Sequence, residues 1–209
     1  MFTKALLPDT VRAVKLVSNI PTIGRAYLAG GTALALHLGH RISVDLDFFS
    51  QSKFNEQALS AELSKLKEFK EEGKSWQTVW GWIGKTKFSI FYYKYPLIEN
   101  ILGFKGIQIA GKKDIAAMKV HALEERGTKR DFIDTYFLAT EFSLEEMFKF
   151  YDKKYSVFDE HAYSIIRALS YFEDAEKEDY TPRMLTYYNW QGIKNFFEKE
   201  AVRLAKKFL

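Results

Sequence analysis

YLAGGTALALHLGHRISVDLDFFS, residues 27–50, holds a glycine pair, a short run of helix formers, a basic turn and two carboxylates one residue apart. The spacing predicts a buried strand over 25–29, a break at Gly30-Gly31, and a helix over 32–38 that Gly39 ends. A turn at His40-Arg41 then leads into a strand over 42–49. Side chains alternate along a strand, so Asp45 and Asp47 point the same way with Ser43, while Val44, Leu46 and Phe48 point the other way. Two adjacent carboxylates repel unless a cation lies between them, and for oxygen ligands at this spacing the natural cation is Mg²⁺, or Mn²⁺ in its place. A glycine pair after a strand lets the backbone approach an anion, and the helix that follows offers free amides to phosphate. Phosphate held by amides and metal held by carboxylates on the next strand are what nucleotidyl transfer requires.

Upstream, apolar residues from Val11 to Val17 predict a packing helix over 10–20, with Asp9 or Thr10 as N-cap after Pro8 and Pro21 closing it. Downstream, Leu59, Leu63 and Leu66 predict an amphipathic helix over 54–69, ended near Gly73. Strands over 77–83 and 86–93 flank Gly84-Lys85 and read as a β-hairpin, and 107–109 reads as a short edge strand. Trp76, Trp80 and Trp82 on that hairpin could stack nucleobases, but packing under a helix is the preferred reading. From Lys112 the period is helical, over 114–125, 129–140, 143–155, 158–172 and 189–207. The expected division is a mixed α/β domain over 1–110 and a helical domain over 111–209 that completes the active-site cleft.

The chain has 209 residues, 47% of them hydrophobic, and a formal net charge of +4. It can bury a sizeable core, and its mild basicity permits a polyanionic partner without requiring one. Absence of cysteine excludes disulfides, thiolate zinc sites and a cysteine nucleophile. MFTKALLPDT does not read as a signal peptide, and no segment has the apolar length of a membrane span. A soluble, cytoplasmic protein is expected.

The segment LAGGTALALHLGHRISVDLDFF resembles the AbiEii-type nucleotidyltransferases of abortive-infection and toxin-antitoxin systems, within the DNA polymerase β-like superfamily. A second block, KVHALEERGTKRDFIDTYFL at 119–138, is similar to that family's downstream Lys, Arg and Arg-Asp-x-x-Asp pattern. The resemblance implies an α+β fold, a polymerase β-like mixed sheet with helices followed by a C-terminal helical bundle. It also implies transfer of a nucleoside monophosphate from a nucleoside triphosphate to an acceptor hydroxyl, with the tRNA 3′ end as acceptor and an antitoxin as partner. Other acceptors are a protein or a small molecule, and an inactive nucleotide-binding relative is the reading from a different class. Gly30, Gly31 and Thr32 would then hold the β- and γ-phosphates, Asp45 and Asp47 the metal, and Ser43 a phosphate or ligand carboxylate. Lys119 would pair with the triphosphate, and Asp134 or Asp131 would supply an acid near the site. Arg126, with Lys129 and Arg130, could contact nucleotide or RNA, or could pair with neighbouring carboxylates. One departure stands out: superfamily members usually carry a third carboxylate on a later strand, and TKFSIFYY at 86–93 has no acid. His40 is at most a phosphate contact, and His121 reads as structural.

Overall fold

Seven strands from the first half of the chain form one mixed sheet: β1 (Tyr27–Leu28), β2 (Leu46–Ser50), β3 (Phe69–Ser75), β4 (Thr78–Ile83), β5 (Thr86–Tyr92), β6 (Leu102–Phe104) and β7 (Ile107–Ile109). Their order across the sheet is β3-β4-β5-β2-β1-β7-β6. The β2–β5 and β1–β7 pairs are parallel and the others antiparallel. The computed structural model describes residues 1–178 and 181–209. It divides into two units, Met1–Gly111 and Lys112–Leu209. The first is a mixed α/β unit, and the second is helical.

In the first unit, helices α1 (Pro8–Val17), α2 (Pro21–Gly24), α3 (Gly30–Leu38) and α4 (Glu56–Leu63) accompany the sheet. Leu28, Leu34, Leu36, Leu46, Phe48, Phe88 and Ile90 are wholly buried and form the core. Pro8 is the first residue of α1 after Leu7, so neither Asp9 nor Thr10 is the cap. This is where a residue with fixed φ and no N–H belongs. Likewise Pro21 opens α2 instead of only closing α1.

Three further expectations need correction. Strand β2 starts at Leu46, not Ile42, because the chain before it pairs elsewhere: Ser43 N–H donates to Ala5 O at 2.9 Å and Ser43 bridges Leu6. The helix expected over 54–69 stops at Leu63, and residues 69–75 are the edge strand β3, bulged between Glu71 and Gly73. Its exposed charges carry no apolar alternation, yet they suit an edge, where charge discourages pairing with another chain. Strand β7 is not an edge either: it lies between β1 and β6, joined to β6 through Lys105 and Gly106, whose φ of 46° and 86° make the tight turn.

The second unit comprises α5 (Lys112–Glu125), α6 (Lys129–Leu138), α7 (Leu144–Tyr155), α8 (Phe158–Ala168), α9 (Glu173–Lys177) and α10 (Trp190–Phe208). Phe132, Ile133, Met147, Phe148, Ile165, Phe197 and Leu204 form its core. Ser143 and Glu146 make a capping box at the start of α7. Helices α5 and α7 are tied by a fully buried ion pair, Lys154 Nζ to Asp114 Oδ1 at 2.7 Å. No helix among the described residues is long and apolar enough to cross a membrane.

Candidate active site

The glycine pair does not sit before α3 as expected; it forms the first turn of that helix, with Ala29 as N-cap. Gly30 has φ +65°, a left-handed conformation that costs any other residue, and a Cβ built there would lie 3.8 Å from Asp47 Oδ2. The start of a nine-residue helix, with its free amides and the positive end of its dipole, therefore lies beside the Asp47 carboxylate. Ala29 N–H donates to Asp47 O at 3.1 Å and holds the two segments together.

Thr32 and Ser43 are placed differently from a phosphate grip. Thr32 is 2% exposed, and its hydroxyl bonds Ser43 Oγ at 2.8 Å and the carbonyl of Asp45. These bonds fasten the segment entering β2 to α3 and so fix where the aspartates stand. Asp45 lies just before β2 and Asp47 within it, both half-buried. The shared face expected of a continuous strand over 42–49 thus rests on Asp47 alone, with Asp45 in the lead-in.

Across the parallel β2–β5 pair, Asp47 is in register with Ser89. Ser89 Oγ donates to Asp47 Oδ1 at 2.5 Å. A neutral serine, itself buried, therefore occupies the β5 position facing Asp47. Sequence reasoning missed Ser89: it is a lone hydroxyl in an apolar run, and only the register between strands some forty residues apart reveals its partner. No cluster of three or more His, Cys, Asp or Glu suited to a metal occurs among the described residues. Two carboxylates without a third still fit Mg²⁺, which commonly takes one or two protein carboxylates and completes its octahedron with substrate phosphates and water.

In the second unit, Lys119, Asp131, Asp134 and Arg126 come together. Lys119 is 5% exposed, and its ammonium lies 2.9 Å from Asp131 Oδ1 and 2.7 Å from Asp134 Oδ2. Asp131 also accepts from Arg126 Nε at 2.9 Å and from Thr128 Oγ1 at 2.7 Å. Thr128, unremarked in the sequence, does two jobs: it caps α6 and steadies this carboxylate. Burial pushes the Asp131 carboxyl up, but Lys119, Arg126 and Thr128 outweigh it and hold the group well below the ordinary carboxylate range. Asp131 and Asp134 are both fully buried, three residues apart on α6. Arg126 thereby takes the carboxylate-pairing role left open beside nucleotide contact, while its side chain stays 63% exposed. His121 packs against Tyr155 and Tyr151, in keeping with a structural role.

The family profile described as "Nucleotidyl transferase AbiEii toxin, Type IV TA system" matches residues 18–109. The chain belongs to the AbiEii nucleotidyltransferase family. That match contains the glycine pair and both aspartates, while the 119–138 block lies beyond it. An uncharacterised protein of Aquifex aeolicus strain VF5 is 39% identical over 204 residues, spanning 94% of this chain and 96% of the relative. Among solved structures, MenT4, a nucleotidyltransferase toxin of Mycobacterium tuberculosis H37Rv, superposes with a TM-score of 0.61 at 13% identity, covering 94% of this chain and 82% of that one. JHP933 of Helicobacter pylori gives a TM-score of 0.54 at 21% identity, with 95% and 90% covered. At such identities these likenesses establish the fold, a mixed sheet with helices shared with nucleotidyltransferases.

Proposed function

We propose that this member of the AbiEii family transfers a nucleoside monophosphate from a nucleoside triphosphate to an acceptor hydroxyl, with the 3′ end of tRNA as acceptor and a cognate antitoxin as restraint. The observation that carries the reading is the start of α3 set beside the Asp47 carboxylate across Gly30. Backbone amides of Gly30 and Gly31 bind phosphate oxygens there, aided by the helix dipole. Asp45 and Asp47 would hold Mg²⁺, which would supply charge neutralisation to the phosphates when bound. Thr32 and Ser43 act from beneath by fixing the segment that bears the aspartates. Ser89 keeps Asp47 oriented through its hydroxyl.

The acceptor oxygen bonds to the α-phosphorus as the bridging oxygen to the β-phosphate leaves with pyrophosphate, and the hydroxyl proton passes to water. A carboxylate held well below its ordinary pKa is a poor proton acceptor, so Asp131 serves charge placement better than base catalysis. With Asp134 it fixes the Lys119 ammonium inside the helical unit.

The test is incubation of the protein with α-labelled nucleoside triphosphates, Mg²⁺ or Mn²⁺, and total tRNA. Label on tRNA that disappears in Asp45→Ala and Asp47→Ala is the expected result. Label on protein or on a small molecule would move the acceptor, and nucleotide binding without product under either metal would reduce the protein to a binding module. Co-expression with a candidate antitoxin should relieve growth arrest without changing toxin abundance.

A further inference from the structure

Trp80 and Trp82 of the hairpin do not lie on the sheet face that α1 and α4 cover, and where they stand has functional content. Residues directly opposite one another on paired strands project to the same face of a sheet. The register aligns Asp47 with Ser89, Ser89 with Trp80, and Trp80 with Gly73. A second row aligns Lys87 with Trp82 and Trp82 with Lys70. Both indoles therefore stand on the sheet face that carries the Asp47 carboxylate. The alternate residues Val79, Gly81, Ile83, Phe88 and Ile90 are buried on the other face. Helices α1 and α4 lie on that other face too: Thr10 meets Thr86, in register with Ile83, and Ser60 bonds Glu71, in register with Gly81.

Trp80 is accommodated by a glycine. A Cβ at Gly73 would come within 2.3 Å of the Trp80 ring, so this position must be bare for the indole to lie against β3. Trp82 is 37% exposed, and its Nε1–H donates to Glu72 Oε1 at 2.6 Å, which sets the edge of the ring. Lys70 and Lys87, one on each side of Trp82, are exposed. With neighbouring strands about 4.8 Å apart, Trp80 stands two strands, or roughly 10 Å, from Asp47.

We infer that the β3–β5 wing of this face is a stacking subsite for the unpaired end of the acceptor nucleic acid. Fixed aromatic rings combined with cations are how proteins bind single strands without reading sequence, the rings taking bases and the lysines taking phosphates. Two indoles and two lysines leading away from the carboxylate span more than the single base of a nucleoside triphosphate, which is why the acceptor is assigned here. This inference rests on the transferase reading for its link to catalysis, but its binding test does not.

The experiment measures anisotropy of a fluorescein-labelled single-stranded RNA oligonucleotide, beside binding of Mg²⁺ with nucleoside triphosphate. Trp82→Ala should weaken RNA binding about tenfold or more, Trp82→Phe should retain most of it, and nucleotide affinity should not move. Lys87→Ala should reduce the salt slope of RNA binding by about 0.7. The exposed Trp82 carries the test because Trp80 replacement also disturbs packing on Gly73. RNA affinity unchanged in Trp82→Ala would overturn the inference, as would loss of nucleotide affinity in its place. If Trp82 governs RNA binding but no label is ever transferred, the subsite stands and the transferase reading falls.

Discussion

Replacing Lys119 with Met removes the charge that faces two fully buried carboxylates, Asp131 and Asp134. Met keeps most of the side-chain volume, so the effect isolates electrostatics from cavity formation. Lys119 Nζ lies within 3 Å of Asp131 and Asp134, both fully buried. Breaking a buried ion pair by removing one partner costs about 3–5 kcal/mol, most of it from the charge left behind. Asp131 keeps Arg126 and Thr128, so the lower end, about 3 kcal/mol, is expected. Urea titration followed by far-ultraviolet circular dichroism reads this as a lower midpoint at unchanged slope. Adding Asp134→Asn in the Lys119→Met background should recover part of the loss, because a buried charge that faced the lost ammonium is gone, and the two effects should therefore fail to add. A Lys119→Met cost below about 1 kcal/mol, the range of surface pairs, would refute the buried cluster.

The pH dependence of the second unit follows from Asp131. Its folded pKa is depressed, so its contribution is fully present above the ordinary carboxylate value near pH 4 and declines as pH falls through the folded value. Arg126→Ala should shift that acid-induced loss to higher pH, as seen in acid titrations of helicity. Lys154→Met leaves Asp114 charged in a wholly buried position, so about 3–5 kcal/mol of destabilisation is expected, with recovery in the Lys154→Met, Asp114→Leu double variant, measured by the same urea titration. Gly30→Ala forces a side chain into φ +65° and should cost roughly 1–2 kcal/mol while weakening triphosphate binding, read by thermal shift and isothermal titration.

The strand-glycine-helix-strand order was legible because its signals are local: Gly30-Gly31, the Ala and Leu run, and two aspartates with apolar neighbours. Where β2 begins was not, because Ser43 is drawn off by Ala5 and Leu6, more than thirty residues earlier in the chain. Strand β3 hid for a different reason: an edge strand with exposed Lys70, Glu71, Glu72 and Lys74 shows no alternating apolar face. The tryptophans misled because aromatic residues at alternate positions are ordinarily the packed face, whereas here Val79, Gly81 and Ile83 fill that role. On α6, the spacing of Asp131 and Asp134 was readable from helical geometry. Their burial with Lys119 was not, since a charged residue on a helix ordinarily faces water and only tertiary pairing offsets the cost of removing it. Ser89 is the extreme case, with no local signal and a meaning set entirely by register.

Transfer of α-label from a nucleoside triphosphate to tRNA by the wild type and by Asp47→Ala, compared with and without Mg²⁺, tests the central claim most directly. The Asp47 carboxylate beside the start of α3 predicts metal-dependent labelling that falls a hundredfold or more in the variant, since metal stabilisation of the phosphates is worth about several kcal/mol. Labelling that survives in Asp47→Ala, or that proceeds equally without divalent metal, would contradict it.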